Sequence, residues 1–97
     1  MDLNGNPSET NPTHLDLHWQ PPEQPNGKIL SYEIRYSLDR EAKLKLWGKV
    51  GVNGSELMTT LMLTDGSKYF FKMRARTRAG WGPYSKLYSI TIPLGKY

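Results

Sequence analysis

The sequence contains no cysteine, so it can form no disulfide and offers no thiolate to a metal ion. Its apolar runs stop far short of the roughly 20 residues that a membrane-spanning helix needs. No signal peptide opens the chain, and we expect the sequence to be one module of a longer protein. The domain is therefore expected to fold on a hydrophobic core alone, without direct membrane contact.

Catalytic motifs are absent as well. Neither a Gly-x-Ser-x-Gly nucleophile motif nor a phosphate-binding glycine loop occurs. His14, Asp16 and His18 would share one face of a strand at spacings of about 7 Å, where they could chelate zinc or copper. They also form the polar outer face that any half-buried strand carries, and coordination needs further side chains to hold the ligands in place. We therefore expect no catalytic residue, no bound metal and no cofactor.

Length and composition indicate one domain with one core. Hydrophobic residues make up 37% of the chain and aromatic residues 11%, which predicts a thin core built from a few large rings. The net charge of +4 predicts a soluble surface and is too small for nucleic-acid binding. Residues 1–97 are expected to form a single domain. Within it, residues 1–13 form an irregular N-terminal segment or a weak first strand, because Pro7 and Pro12 cannot donate ladder hydrogen bonds.

Apolar and polar residues alternate in short runs, which is the pattern of half-buried strands. Leu15, Leu17 and Trp19 share one face in the first run, and the runs at 32–36 and 69–76 alternate in the same way. No stretch has the 3.6-residue period of a helix. Further strands are expected where apolar residues return between turn signals, at 44–51, 57–63 and 84–92.

Glycine-containing turns are expected between these strands. Gly27 follows Pro25-Asn26 and is free to adopt a positive φ, Asn53-Gly54 is a strong turn dipeptide, and Asp65-Gly66 would make a corner. Residues 77–83 form a glycine-rich hairpin with Trp81 at its tip. Several short strands joined by such turns predict an all-β sandwich.

Taken together, these motifs closely resemble a fibronectin type III domain. The segments that carry the resemblance are Trp19-Gln20-Pro21-Pro22, Tyr32-Glu33-Ile34-Arg35-Tyr36, Leu63 followed by Tyr69, and Arg78-Ala79-Gly80-Trp81-Gly82-Pro83-Tyr84-Ser85. The resemblance implies a seven-stranded antiparallel Greek-key sandwich of the immunoglobulin-like kind. It also implies that Tyr69 forms a tyrosine corner, with its hydroxyl bonded to the backbone near Leu63 or Asp65. The core is expected to be centred on Trp19, Tyr36, Leu63, Tyr69, Phe71 and Met73.

One face of the strand at 69–76 is basic, since Lys72, Arg74 and Arg76 alternate with the apolar residues and Arg78 follows in the hairpin. Two interpretations are open. The long side chains could cover apolar sheet surface and pair with Glu33. Alternatively, they could bind an acidic protein or, weakly, a heparin-like polyanion.

Trp81 also has two interpretations. Tryptophan is a favoured interface anchor, and with Arg76 and Arg78 it would form a partner-binding surface. The ring could instead lie on one of those arginines, or against Pro83. The run from Trp81 to Ser85 loosely resembles the Trp-Ser-x-Trp-Ser box of class I cytokine receptors, whose arginines stack on that box, although Gly82 and Tyr84 depart from it.

Asn53-Gly54-Ser55 is a glycosylation sequon in a turn that we expect to be exposed. Asn53 is therefore a candidate modification site.

The family resemblance implies a module that positions and binds other molecules and performs no chemistry. We expect an extracellular module of a cell-surface receptor or adhesion protein, with a receptor tyrosine kinase or phosphatase as a candidate parent. Its partners would be another protein or tandem neighbouring domains, and the isolated domain would be monomeric. The alternatives are an intracellular muscle-type scaffold module, a cytokine-receptor ligand-binding domain and an accessory module of a secreted enzyme. Neighbouring domains in the full-length protein would distinguish them.

Overall fold

The computed structural model describes residues 3–7, 14–21, 27–63 and 66–92. These residues form eight strand segments and one short 3₁₀ turn, and none of them belongs to a helix long and apolar enough to cross a membrane. The strands are β1 (Leu3–Pro7), β2 (His14–Trp19), β3 (Ser31–Ser37), β4 (Gly48–Asn53), β5 (Met58–Met62), β6 (Lys68–Thr77), β7 (Gly80–Trp81) and β8 (Tyr88–Thr91).

The strands form two antiparallel sheets. The smaller sheet has the order β1-β2-β5, and the larger sheet has β4-β3-β6, with β7 and β8 both paired to the far side of β6. The chain changes sheet after β2, β4 and β5. This architecture confirms the predicted antiparallel sandwich. The last strand, expected at 84–92, is confined to β8 (88–91), and the two-residue β7 forms within the predicted hairpin at 77–83, which gives eight segments instead of seven.

The first strand is more regular than its two prolines led us to expect. β1 pairs with β2 over five residues, from Leu3 opposite Trp19 to Pro7 opposite Leu15. Pro7 is the last residue of the strand, where a missing donor disturbs the ladder least, while Pro12 lies outside the described residues. The outer edge of β1 is closed by Tyr88, whose hydroxyl accepts a bond from Gly5 N at 3.0 Å and donates to Gly5 O at 3.3 Å.

The strand predicted at 44–51 was placed too early. Leu44–Leu46 forms a 3₁₀ turn, in which Leu46 is 72% exposed. Trp47 is buried and its indole Nε1 donates to the Ala42 carbonyl at 2.9 Å, which anchors the end of the loop. The strand then begins at Gly48, where a Cβ would overlap the ring of Tyr36. The apolar residues at 44, 46 and 47 follow no strand period, so they did not mark a strand.

The predicted turns lie where the sequence placed them, as far as they are described. Gly27 has a φ of 99° and Gly66 a φ of 75°, both in the region that favours glycine. Gly54 follows the end of β4 and its backbone N–H donates to the Leu30 carbonyl at 3.1 Å. Residue 65, the other half of the predicted Asp65-Gly66 corner, lies outside the described residues.

One core joins the inner faces of the two sheets. Its fully buried side chains of largest volume are Trp19, Tyr32, Phe71, Leu15, Leu17, Ile34, Met73 and Ile92. The rings of Trp19 and Tyr32 meet edge to face, with centroids 5.4 Å apart. Leu63 and Tyr69 are buried as well, whereas Tyr36 is only partly buried, because it lies at the margin of the sheet against Gly48.

The tyrosine corner stays a prediction, which one substitution tests. Tyr69 is buried, so its hydroxyl needs a partner to offset its desolvation. Tyr69→Phe should lower the free energy of unfolding by about 1–3 kcal/mol, because the backbone partner of a buried hydroxyl would be left unsatisfied. Urea unfolding measures this loss. The control is Tyr36→Phe, at a partly buried tyrosine. Equal midpoints for Tyr69→Phe and the unsubstituted protein would rule out the corner.

Candidate functional site

The outward side of the larger sheet, which we call the basic face, is the candidate site. Strand register arranges its side chains in three rows, which are Lys49–Arg35–Lys72, Gly51–Glu33–Arg74 and Asn53–Ser31–Arg76–Trp81. The rows point away from the core because Tyr32 and Ile34, which alternate with them on β3, are buried. Five basic side chains and one carboxylate give this face a charge of +4, which equals the formal net charge of the whole chain.

Glu33 is the centre of the face and is 5% exposed. Its Oε1 accepts hydrogen bonds from Arg35 Nε at 2.8 Å, Arg74 Nε at 3.2 Å and the Tyr84 hydroxyl at 3.0 Å. Its Oε2 accepts a further bond from Arg74 Nη2 at 3.3 Å. The carboxylate therefore ties β3 to β6 and to the segment after β7. Buried charge is tolerated here because it is paired and hydrogen-bonded.

These contacts shift the pKa values of the cluster. Burial alone would raise the pKa of Glu33, but the hydrogen bonds from Arg35, Arg74 and Tyr84, together with the charge of Arg35, outweigh it and hold that pKa below 4.5. The hydrogen bond to Glu33 raises the pKa of Arg35 above its ordinary value, and burial offsets only part of this effect. The cluster is thus a fixed set of charges at neutral pH.

Arg74 is stacked between two aromatic rings. Its Cζ lies 4.4 Å from the centroid of Trp81 and 4.7 Å from that of Tyr84, well within the range of cation–π attraction. The expectation that Trp81 stacks on Arg76 or Arg78 was therefore wrong. Arg74 is the partner because Glu33 holds its guanidinium over the sheet. On β6 it lies two residues from Arg76, the residue paired with Trp81.

Trp81 does not lie at the tip of the hairpin, as the glycines on either side suggested. It belongs to β7 and is paired with Arg76. The turn itself is Arg78-Ala79, closed by the pairing of Thr77 with Gly80. The indole therefore lies over the sheet, 42% exposed, with its orientation fixed by Arg74.

The other predicted contact residues surround this cluster. Arg76 is exposed opposite Trp81, Arg78 is exposed in the turn, and Lys72 is partly buried opposite Arg35. Within the described part of the chain, none of these three has an acidic partner within 4.0 Å, and the same is true of Lys49. Glu33 is therefore shared by two arginines, and the remaining cations of the face are available to a partner.

Sequence reasoning missed Tyr84 and Lys49 as members of this face, and it missed the burial of Glu33. A weak signal existed for Glu33, since Arg35 follows it two residues later on the same face of β3. No comparable signal identified Tyr84, because its hydroxyl reaches Glu33 across a separation of 51 residues.

The histidines at 14 and 18 do not form a metal centre with Asp16. Asp16 Oδ1 accepts a hydrogen bond from Thr60 Oγ1 at 2.7 Å, and His18 Nε2 lies 3.5 Å from Asn6 Nδ2. Among the residues whose structure is described, no three His, Cys, Asp or Glu side chains are grouped closely enough to hold a metal ion. This strand face is an ordinary polar surface of the smaller sheet.

Comparisons with known proteins bear on the whole domain. The sequence model of the fibronectin type III domain matches residues 4–91. The chain is 38% identical over 87 residues to ephrin type-B receptor 5 of Gallus gallus, covering 86% of this chain and 8% of that protein. It is 37% identical over 79 residues to receptor-type tyrosine-protein phosphatase F of Danio rerio (81% and 4%) and 37% identical over 86 residues to neogenin of Rattus norvegicus (88% and 6%). It therefore spans less than a tenth of these relatives.

Solved structures share the fold. The FN1–FN3 fragment of chicken CNTN1 superposes with a TM-score of 0.78 at 22% identity, over 96% of this chain and 30% of the fragment. The fn3 domain of the human collagen alpha-1(XX) chain superposes with a TM-score of 0.79 at 23% identity, over 100% of this chain and 86% of that one.

Proposed function

Because the chain belongs to the fibronectin type III family, we propose that it is a non-catalytic protein-interaction and spacer module in the extracellular region of a cell-surface receptor. Two of the relatives are receptors by name, and one of them is a receptor-type phosphatase. A parent with a kinase or phosphatase domain elsewhere in its sequence fits these relatives. An intracellular scaffold is the alternative placement.

Tandem neighbours are the second part of the proposal. One structural relative is a fragment of three consecutive domains, and an array of such modules both spaces its members and binds through several weak contacts at once. We expect the isolated domain to be monomeric and to gain avidity only within the array.

The partner-binding surface is the basic face, and the observation that carries this proposal is the fixed, half-exposed ring of Trp81. Tryptophan and arginine are the residues most enriched among interface anchors. A ring already held by Arg74 loses little side-chain freedom when a partner covers it. The cations Lys49, Lys72 and Arg76 around it have no ion-pair partner among the described residues and favour an acidic protein partner.

Trp81→Ala tests this surface on unglycosylated protein made in bacteria. We expect the free energy of unfolding to fall by at most about 1 kcal/mol, since an exposed cation–π pair contributes roughly 0.5–1 kcal/mol. A binding partner is first identified by screening an array of purified extracellular domains. The free energy of binding to that partner should weaken by about 2 kcal/mol or more, as for other interface anchors. Thermal melting and surface binding measure the two effects.

Leu87→Ala is the matched control, because Leu87 is exposed to a similar extent, 40%, on the segment before β8. It should leave both stability and binding nearly unchanged. A large loss of melting temperature for Trp81→Ala with unchanged affinity would make Trp81 a structural brace and contradict the proposal. Binding to immobilised heparin that Trp81→Ala does not weaken would instead assign the face to polyanions.

A further inference from the structure

A shallow groove crosses the basic face between β4 and Trp81. Its volume is about 490 Å³, within the range of about 300–1,000 Å³ that is typical of small-ligand sites. Two small residues, Ser31 on β3 and Gly51 on β4, belong to its lining, and no atom lies within 4 Å of the position that a Cβ of Gly51 would take. Asn53 and Trp81 lie at opposite ends of one row of the register, and both line the groove.

Asn53 begins a turn with a fixed geometry. Its side-chain Oδ1 accepts hydrogen bonds from Ser55 N at 2.9 Å and from Ser55 Oγ at 3.0 Å. A Cβ on Gly54 would lie 2.2 Å from the Ile29 carbonyl oxygen, so glycine is the residue that fits the close approach of this turn to the segment before β3. Within the described part of the chain the Asn53 Nδ2 donates no hydrogen bond, and the residue is exposed.

We propose that Asn53 carries an N-linked glycan whose first sugar rings lie in this groove against Trp81. Asn53-Gly54-Ser55 is the acceptor sequence, and the groove starts at the acceptor itself. The apolar faces of pyranose rings stack on indole, and Ser31 and Lys49 on the groove wall supply hydrogen-bonding groups to hydroxyl and acetamido oxygens. Because the glycan is tethered next to its site, its effective concentration there is high and a weak contact suffices to hold it.

The modification balances as an ordinary transfer from a polyprenyl pyrophosphate oligosaccharide. The Asn53 Nδ2 bonds to the anomeric carbon of the first N-acetylglucosamine, the bond from that carbon to the pyrophosphate breaks, and one amide proton is released. This inference rests on the extracellular placement proposed above, because the donor is met in the secretory pathway. Glycosylation of Asn53 would also regulate partner binding, because a glycan lying in the groove covers the Trp81 ring that a protein partner would contact.

The test compares the same sequence secreted from cultured animal cells with that made in bacteria. Intact mass should show a glycan on the secreted chain, and Asn53→Gln should abolish it. The glycan should raise the melting temperature by roughly 4 °C, about the shift expected for one additional stacking contact in a domain of this size. On Trp81→Ala this gain should fall below roughly 1 °C, while on the control Leu87→Ala it should persist. Trimming to the first two N-acetylglucosamine rings should retain most of the gain, because two rings are needed to reach across the three strand spacings from Asn53 to Trp81.

Two results overturn the inference separately. A secreted chain without a glycan would exclude the modification. A rise in melting temperature on Trp81→Ala equal to that on the unsubstituted chain would exclude the contact between the sugar and the indole. A nuclear Overhauser contact between the sugar and the Trp81 indole would support that contact directly. These outcomes are independent of the proposed partner surface, because partner binding is measured on the bacterial protein, which carries no sugar.

Discussion

Trp19→Ala should lower the free energy of unfolding by about 3–5 kcal/mol, the cost of emptying a large aromatic site in a core. Trp19 is 2% exposed, its ring meets Tyr32 edge to face, and its backbone N–H donates to the Leu57 carbonyl at 3.0 Å. The cavity would lie between the two sheets, where neither can collapse without breaking strand pairing. Since small domains have total stabilities of about 5–15 kcal/mol, the variant would lie close to the unfolding threshold.

Urea unfolding measures this loss, and Trp19→Phe reports on the same site if Trp19→Ala cannot be isolated. Trp19→Phe keeps a ring in the site and should cost roughly 1–3 kcal/mol. Trp47→Ala is the matched control, because Trp47 is buried outside the main core cluster, and it should cost less than Trp19→Ala. A Trp19→Ala protein that melts within a few degrees of the unsubstituted chain would contradict the inward placement of β2.

Glu33→Gln should be the most destabilising substitution on the basic face, with an expected loss of about 2–3 kcal/mol at neutral pH. The introduced amide would keep the shape of the side chain but leave Arg35 and Arg74, whose side chains are 17% and 22% exposed, without their countercharge. Hydrogen bonds to charged groups contribute about 1.5–3 kcal/mol, and the partial exposure of both arginines keeps the loss below that of a fully buried pair. Glu41→Gln is the control, because the Arg40–Glu41 pair is exposed and should contribute little.

The pH dependence of this loss provides a second measurement. The pKa of Glu33 is lower in the folded chain than its ordinary value of 4.5, so the unfolded chain binds the proton more readily. The stability from Glu33 is therefore fully present above about pH 4.5 and is lost as the pH falls through the folded pKa. The difference in the free energy of unfolding between the unsubstituted chain and Glu33→Gln should become smaller below that pH. A gap that stays constant down to about pH 3 would show that the charge of Glu33 does not stabilise the fold.

Local patterns predicted the parts of this fold in which one residue period decides the structure. Alternation placed β2, β3 and β6 correctly, because each has one buried and one solvent-facing side. The 44–47 segment was misassigned because its apolar residues include both a buried anchor, Trp47, and an exposed Leu46. A single sequence cannot separate those two environments, which depend on the loop geometry that presents Trp47 Nε1 to Ala42 O.

The site was predicted less completely, because it depends on register between strands that are far apart in sequence. The basic residues of β6 were identified from their alternation, but the choice of Arg74 over Arg76 as the partner of Trp81 follows from Glu33, which holds the Arg74 guanidinium over the sheet. Likewise, Glu33 counts as an exposed position by alternation. It is buried only because side chains from β6 and from the segment after β7 fold over it.

The hydroxyl of Tyr88 on the edge of β1 has a consequence for self-association. It occupies both backbone polar groups of Gly5, and on the same side of the sandwich the larger sheet ends in the four-residue β8, interrupted before β7. The edge strands β4 and β5, on which no further strand pairs within the described ranges, both lie on the other side. Fibre growth by strand addition requires free edges on opposite sides of each subunit. With one side blunted, edge-to-edge pairing of this domain cannot continue past two copies and therefore cannot propagate into a fibre.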